Sequence, residues 1–159
     1  MTAPVLRPAS EDEIARDWEE FTGGAPIIGI FGEYYPQDVE SLLWDDADHG
    51  HRGLVTWWAE GDRAEIVSLH AEPTGSGAGT RIMDASEEAL REKGVRRIVL
   101  ATTNDNVRAL SFYLNRGYRL VRVHLNAMER VRASKPSVPE IGRDGLPLRD
   151  MWEVEKPLE

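Results

Sequence analysis

Three glycines at alternate positions, Gly75, Gly77 and Gly79, stand in the run Thr-Gly-Ser-Gly-Ala-Gly-Thr-Arg from Thr74 to Arg81. The run follows an alternating apolar stretch and precedes an amphipathic one, so it joins a predicted strand to a predicted helix. Glycines there let backbone N–H groups turn toward one point with no Cβ in the way, and the helix start adds partial positive charge. The chemistry of such a loop is the cradling of a pyrophosphate by Gly75, Ser76, Gly77, Ala78, Gly79 and Thr80. Two other phosphate-binding patterns fail on spacing. Thr80-Arg81 follows Gly79 where a P-loop needs Lys-Ser/Thr, and no register supplies the first, third and sixth glycines of a dinucleotide fingerprint. A flexible glycine turn that holds nothing is the plain alternative.

The elements around the loop follow from periodicity. Ala64 to Ala71 reads as a strand, with Glu65, Val67, Leu69 and Ala71 expected on one face and Ile66, Ser68 and His70 on the other. Ala78, Ile82, Met83, Ala85, Ala89 and Leu90 form a helical stripe, predicting a helix from about Gly77 to Lys93 that Gly94 ends. Val95 to Thr102 then reads as a buried strand, Asn106 to Asn115 as a shorter helix with Asn106 a plausible N-cap, and Tyr118 to Leu125 as a strand with Val121, Val123 and Leu125 on one face. Ahead of the loop, Val5 to Arg7 reads as a short strand, and Ser10 with Glu13 makes a capping box opening a helix to about Phe21. Ile27, Ile28 and Ile30 are strand-like, and Ser41 to Trp44 with Gly53 to Trp58 form a hairpin in which Trp57 and Trp58 point to opposite faces. Lys135 to Pro147, broken by prolines and glycines, is a loop before a last strand at about Arg149 to Glu155. The sum is a mixed α/β domain.

At 159 residues the chain is one domain, and no apolar run approaches the ~18 residues of a membrane span. Met1 to Ser10 carries no secretory pattern, and the absence of cysteine excludes disulfides, thiolate ligands and a cysteine nucleophile, so the cytoplasm is the expected address. The four histidines lack ligand spacing, and no metal is expected. A net charge of -9 argues against a nucleic-acid footprint. The charge is uneven: up to His70 there are 15 acidic and four basic residues, and beyond it 13 and 15. Either the front half is solvated acidic surface, or Glu33, Asp38, Glu40, Asp45, Asp46 and Asp48 face a cation while the back half faces an anion.

The glycine run, together with Asn106, Ala109, Phe112, Tyr113, Gly117 and Tyr118 at their observed spacing, resembles the GCN5-related N-acetyltransferases. The likeness extends from about Gly53 to Leu125, and Thr74 departs from the usual Gln or Arg that opens the family's loop. The resemblance implies a single domain with a splayed, mostly antiparallel sheet flanked by helices, and acetyl-CoA as cosubstrate. Leu69, His70 and Ala71 would offer backbone groups to the pantetheine arm as to an added strand, and the glycine loop would hold the pyrophosphate. Asn106 would contact the pantetheine or the region near the thioester, and Tyr113 would protonate the leaving thiolate. Arg108 and Arg116 are candidates for the 3′-phosphate. An amine nucleophile needs a base, and Glu65 stands in the register of the catalytic glutamate of histone-type members, with His70 second. A glutamate turned to water at a strand end is the alternative. The expected activity is acetyl transfer to a primary amine of a small molecule or peptide by direct attack, with a CoA-binding sensor as the rival. A homodimer is compatible with the sequence.

Overall fold

The computed structural model describes residues 1–159. Seven strands form one sheet in the spatial order β1 (Val5–Arg7), β4 (Glu40–Asp46), β5 (His51–Glu60), β6 (Arg63–Glu72), β7 (Arg97–Thr103), β9 (Met151–Pro157) and β8 (Arg119–His124), and β2 (Ile27–Ile28) pairs apart from it with β3 (Glu33–Tyr34). Four helices flank the sheet: α1 (Glu11–Thr22), α2 (Ala78–Glu92), α3 (Val107–Asn115) and α4 (Ala127–Ser134). All pairings are antiparallel except that of β6 with β7. No helix is long and apolar enough to cross a membrane.

Local chemistry sets the helix ends. Ser10 and Glu13 make the expected capping box, and Gly23 ends α1 in the left-handed conformation. Gly77, at φ 87°, is the N-cap of α2; a side chain is strained in that conformation, which gives this glycine a backbone reason to be there. The stripe of α2 buries Ile82, Met83 and Leu90 with Val55, Trp57, Ile66, Ile98 and Leu100. On the other side of the sheet, α1 packs Ile14 and Trp18 with Tyr34, Val67 and Trp58. Trp57 and Trp58 therefore face opposite layers, as alternation requires.

Alternation fails in β6. Thr56 stands opposite Ser68 and Trp57 opposite Ile66, so Val67 is an extra residue, a β-bulge. Val67 packs into the α1-side cluster, and Ser68 receives a hydrogen bond from Trp18 Nε1 at 2.9 Å. Both thus face α1. The consequence corrects the sequence expectation: Glu65 and His70, five residues apart, lie on the same face rather than on opposite ones.

Beyond Ile66 and Leu100, the last parallel pair, β6 and β7 part. Their splay leaves the β7-side edge of Val67 to Glu72 without a strand partner. Three other features escape the sequence reading. Ile30 lies in a loop, not a strand; Ala127–Ser134 is helical; and β9 inserts between β7 and β8. Strand β8 is exposed along almost its whole length, so Val121 and Val123 do not mark a buried face.

Candidate active site

The parting of β6 and β7 opens a cavity of about 750 Å³, walled by the loop after α1, the start of α3 and the segment around Lys135 to Arg143. Glu65, His70, Asn106 and Tyr113 all line it.

Glu65 is 1% exposed, and it does not point to water from a strand end. Its Oε2 accepts from the backbone N–H of Ile30 at 2.6 Å, and its Oε1 from the N–H of Phe31 at 3.0 Å and the Tyr34 hydroxyl at 2.8 Å. Burial pushes the carboxyl above its ordinary range, while the Ile30 and Phe31 N–H groups and the Tyr34 hydroxyl pull the other way. Burial also raises Tyr34, and the neighbouring carboxylate adds to the shift. The loop can lie this close because residue 29 is glycine: a Cβ there would stand 2.5 Å from Glu65 Oε2. Glu65 thus anchors the loop between β2 and β3 while retaining one lone pair on Oε2.

Tyr113 comes from α3, 8% exposed, its ring edge-on to Phe112 and Tyr118. No hydrogen bond within the protein engages its hydroxyl. Burial raises its pKa, with Arg116 opposing, so the phenol holds its proton firmly. Asn106 is the N-cap of the same helix: its Oδ1 accepts from Ala109 N at 3.2 Å, leaving its amide NH2 for the cavity.

In the glycine loop, Ser76 Oγ accepts from Ala78 N at 3.2 Å, and the N–H groups of Gly77, Gly79 and Thr80 have no acceptor in the protein. Gly79 differs from the sequence reading in one respect. A Cβ there would meet Phe112 and Ala71 at 3.5 and 3.7 Å, ordinary van der Waals contact, so the side of this glycine faces α3 and β6 while its N–H stays open.

His70, expected chiefly to lend its backbone, has an engaged side chain. Its Nδ1 lies 2.6 Å from Oδ2 of Asp17, and its ring stacks on Phe21 with centroids 4.5 Å apart. Sequence reasoning missed Asp17 as a site residue. The available signal was an aspartate inside the apolar stripe of Ile14, Trp18 and Phe21 on α1. Lys135 was missed as well: its ammonium donates to the carbonyls of Thr22 and Gly24 at 2.8 and 2.5 Å, and burial lowers its pKa.

Two expectations are corrected. Arg116 does not stand free for a phosphate: its guanidinium is 2.9 Å from Asp84 and 3.1 Å from Glu87, and the side chain is 11% exposed. Burial opposes its charge, yet the two carboxylates more than compensate and raise its pKa. Its Nε is buried without a partner. The front half does contribute to the cavity wall, through Phe21 to Gly23, Pro26 to Gly29 and Glu65 to His70, but not through the acidic cluster expected to face a cation. None of Glu33, Asp38, Glu40, Asp45, Asp46 and Asp48 lines the cavity; Glu40 binds Trp57 and Lys93, and Asp46 binds His49. The charged groups at the cavity are Glu65 and Asp105 with Lys135 and Arg143. Burial works against ionised Asp105, yet Thr103 and the backbone and charge of Arg143 together hold its carboxyl below the ordinary range.

The sequence model described as "Acetyltransferase (GNAT) family" matches residues 23–118. The uncharacterized protein YxbD of Bacillus subtilis (strain 168) is 34% identical over 149 residues, which cover 94% of each chain. Among solved structures, an IAA acetyltransferase from Bacillus cereus superposes with a TM-score of 0.74 at 18% identity, covering 98% of this chain and 100% of that one. A Bacillus subtilis acetyltransferase in complex with CoA gives 0.73 at 16% identity, covering 99% and 100%.

Proposed function

The chain belongs to the acetyltransferase (GNAT) family, and from that premise we propose that it moves an acetyl group from acetyl-CoA to a primary amine of a small molecule or peptide by direct attack. Enzymes of this family use acetyl-CoA and no metal. The observation that carries the reading is the β6–β7 opening, with the Glu65 carboxylate on one wall and the Tyr113 hydroxyl, free of protein partners, on another.

Each residue then has a task. Leu69, His70 and Ala71 pair through their open backbone edge with the amide arm of the donor, as a sheet edge accepts an added strand. The N–H groups of Gly77, Gly79 and Thr80, with the start of α2 behind them, take the pyrophosphate; Gly75, Ser76 and Ala78 shape that turn. The Asn106 amide NH2 holds the pantetheine near the thioester. As the C–N bond forms and the C–S bond breaks, Tyr113 gives the sulfur its proton and Glu65 accepts one from the amine nitrogen. Because burial makes a Tyr113 phenolate costly, the proton must be returned to it promptly, and the proton collected by Glu65 is the source that balances the step.

The test is direct: purified protein with acetyl-CoA and a panel of small-molecule and peptide amines, with free CoA and acetylated product both measured. The account expects CoA release in step with N-acetyl product for at least one amine. CoA binding by calorimetry with no product from any amine would favour the sensor reading instead.

A further inference from the structure

We propose that His70, oriented by Asp17, takes the first proton from the acceptor ammonium, so that the Asp17–His70 pair and Glu65 divide between them the two protons an amine must lose. The inference rests on the acetyl-transfer reading above.

An aliphatic primary amine is an ammonium at neutral pH, its pKa being near that of lysine at about 10.4. To become an amide it loses one proton to expose the lone pair and a second once the C–N bond has formed. Glu65 is poorly placed to do both. Three hydrogen bonds occupy its oxygens, one lone pair is left, and a carboxyl already carrying the first proton cannot receive the second.

His70 supplies the other acceptor. Asp17 is 4% exposed, and its only side-chain hydrogen bond is to His70. A carboxylate can only accept, so Nδ1 carries the hydrogen, and in the neutral imidazole Nε2 is then the nitrogen with the lone pair. Nε2 has no partner in the protein, His70 lines the cavity, and stacking on Phe21 fixes the plane of the ring. An imidazolium formed there has the Asp17 carboxylate 2.6 Å from its Nδ1, the partner that orients the ring. Burying an aspartate between Ile14 and Trp18 costs folding free energy, and packing of α1 gives no reason for it. The bulge at Val67 turns His70 to the face that bears Glu65.

The protons balance. His70 Nε2 takes one from the ammonium and passes it to solvent. The freed lone pair attacks the thioester carbon, and the resulting nitrogen cation gives its second proton to Glu65. The C–S bond breaks, the thiolate takes the Tyr113 proton, and the Glu65 proton restores Tyr113. The net products are amide, CoA thiol and one proton released.

The test uses the full chain and an amine that the wild type acetylates. In His70→Ala, kcat/KM for the amine should fall about 100-fold with the KM for acetyl-CoA nearly unchanged, and added imidazole should restore part of the rate. His70→Asn keeps a donor for Asp17 but no proton acceptor, and should lose as much. Asp17→Asn should lose about tenfold, and nitrogen NMR should show His70 leaving the Nδ1–H tautomer found in the wild type. Wild-type kcat/KM in either folded His70 variant, or an Nε2–H tautomer in the wild type, overturns the inference and leaves acetyl transfer standing. Failure of the wild type on every amine overturns the reading beneath it.

Discussion

Strand β6 presents two faces made for different purposes. Toward α2 it shows Ala64, Ile66, Leu69 and Ala71, which pack with Ile82, Met83 and Leu90. Toward α1 it shows Glu65, Ser68 and His70, each held by a polar partner: the loop at Ile30 and Phe31 with Tyr34, the indole of Trp18, and Asp17. The first face derives its stability from apolar area removed from water. The second spends free energy on burying polar groups, and regains it only in so far as every one is hydrogen-bonded. One strand serves both ends because the bulge at Val67 resets its phase. Were the same residues to run in strict alternation with no bulge, His70 would turn into the apolar layer.

The contrast predicts that changes on the two sides separate stability from turnover. The largest effect belongs to the apolar face. Ile82→Ala, at a fully buried position on α2 that packs against this face and does not line the cavity, should cost about 3 kcal/mol of folding stability in denaturant titration, while the folded fraction keeps most of its turnover. On the cavity side, Tyr113→Phe preserves the ring packing and removes the hydroxyl. Turnover should drop about 100-fold, equivalent to about 2.7 kcal/mol, with acetyl-CoA affinity nearly unchanged; equal turnover would reduce Tyr113 to a packing residue.

A smaller effect is expected where the donor is anchored. Gly77→Val places a branched side chain at φ 87° in space that no protein atom fills. It should weaken CoA binding by roughly 2 kcal/mol by calorimetry, through lost charge-assisted hydrogen bonds. Unchanged affinity in a folded variant would move the cradle elsewhere. The smallest effect lies at the start of α1, the helix that carries Asp17 and Trp18. Glu13 is held by Arg7 first and then by the Ser10 N–H, which lowers its pKa from 4.5 to about 2. A lowered carboxylate contributes stability that is present above pH 4.5 and is lost as pH falls toward 2. Glu13→Gln should therefore flatten the fall of the unfolding midpoint across that window, and an unchanged slope would discount the pair.

Much of this architecture is legible in the chain because it is local. The capping box, the Gly77 turn, the stripe of α2 and the Asn106 cap each depend on residues within a few positions, and each stands where spacing puts it. What pattern misses is set by partners distant in sequence. The bulge at Val67 is defined only by register against Thr56 and Trp57, so a strict period of two misassigned the face of His70 relative to Glu65. Asp17 meets His70 across 53 positions, and Arg116 meets Asp84 across 32. Charge totals misled for the same reason. The front half is acidic, but of its carboxylates only Glu65 lines the cavity, while Glu40 is engaged by Trp57 and Lys93 and Asp46 by His49.

The central claim is that the β6–β7 opening is where the acetyl donor lies. A crystal structure of the protein soaked with CoA tests it most directly. The account predicts the pantetheine arm along Leu69 to Ala71, the pyrophosphate on the N–H groups of Gly77, Gly79 and Thr80, and the sulfur within hydrogen-bonding reach of the Tyr113 hydroxyl. CoA bound outside the opening, or with its sulfur remote from Tyr113, would contradict it.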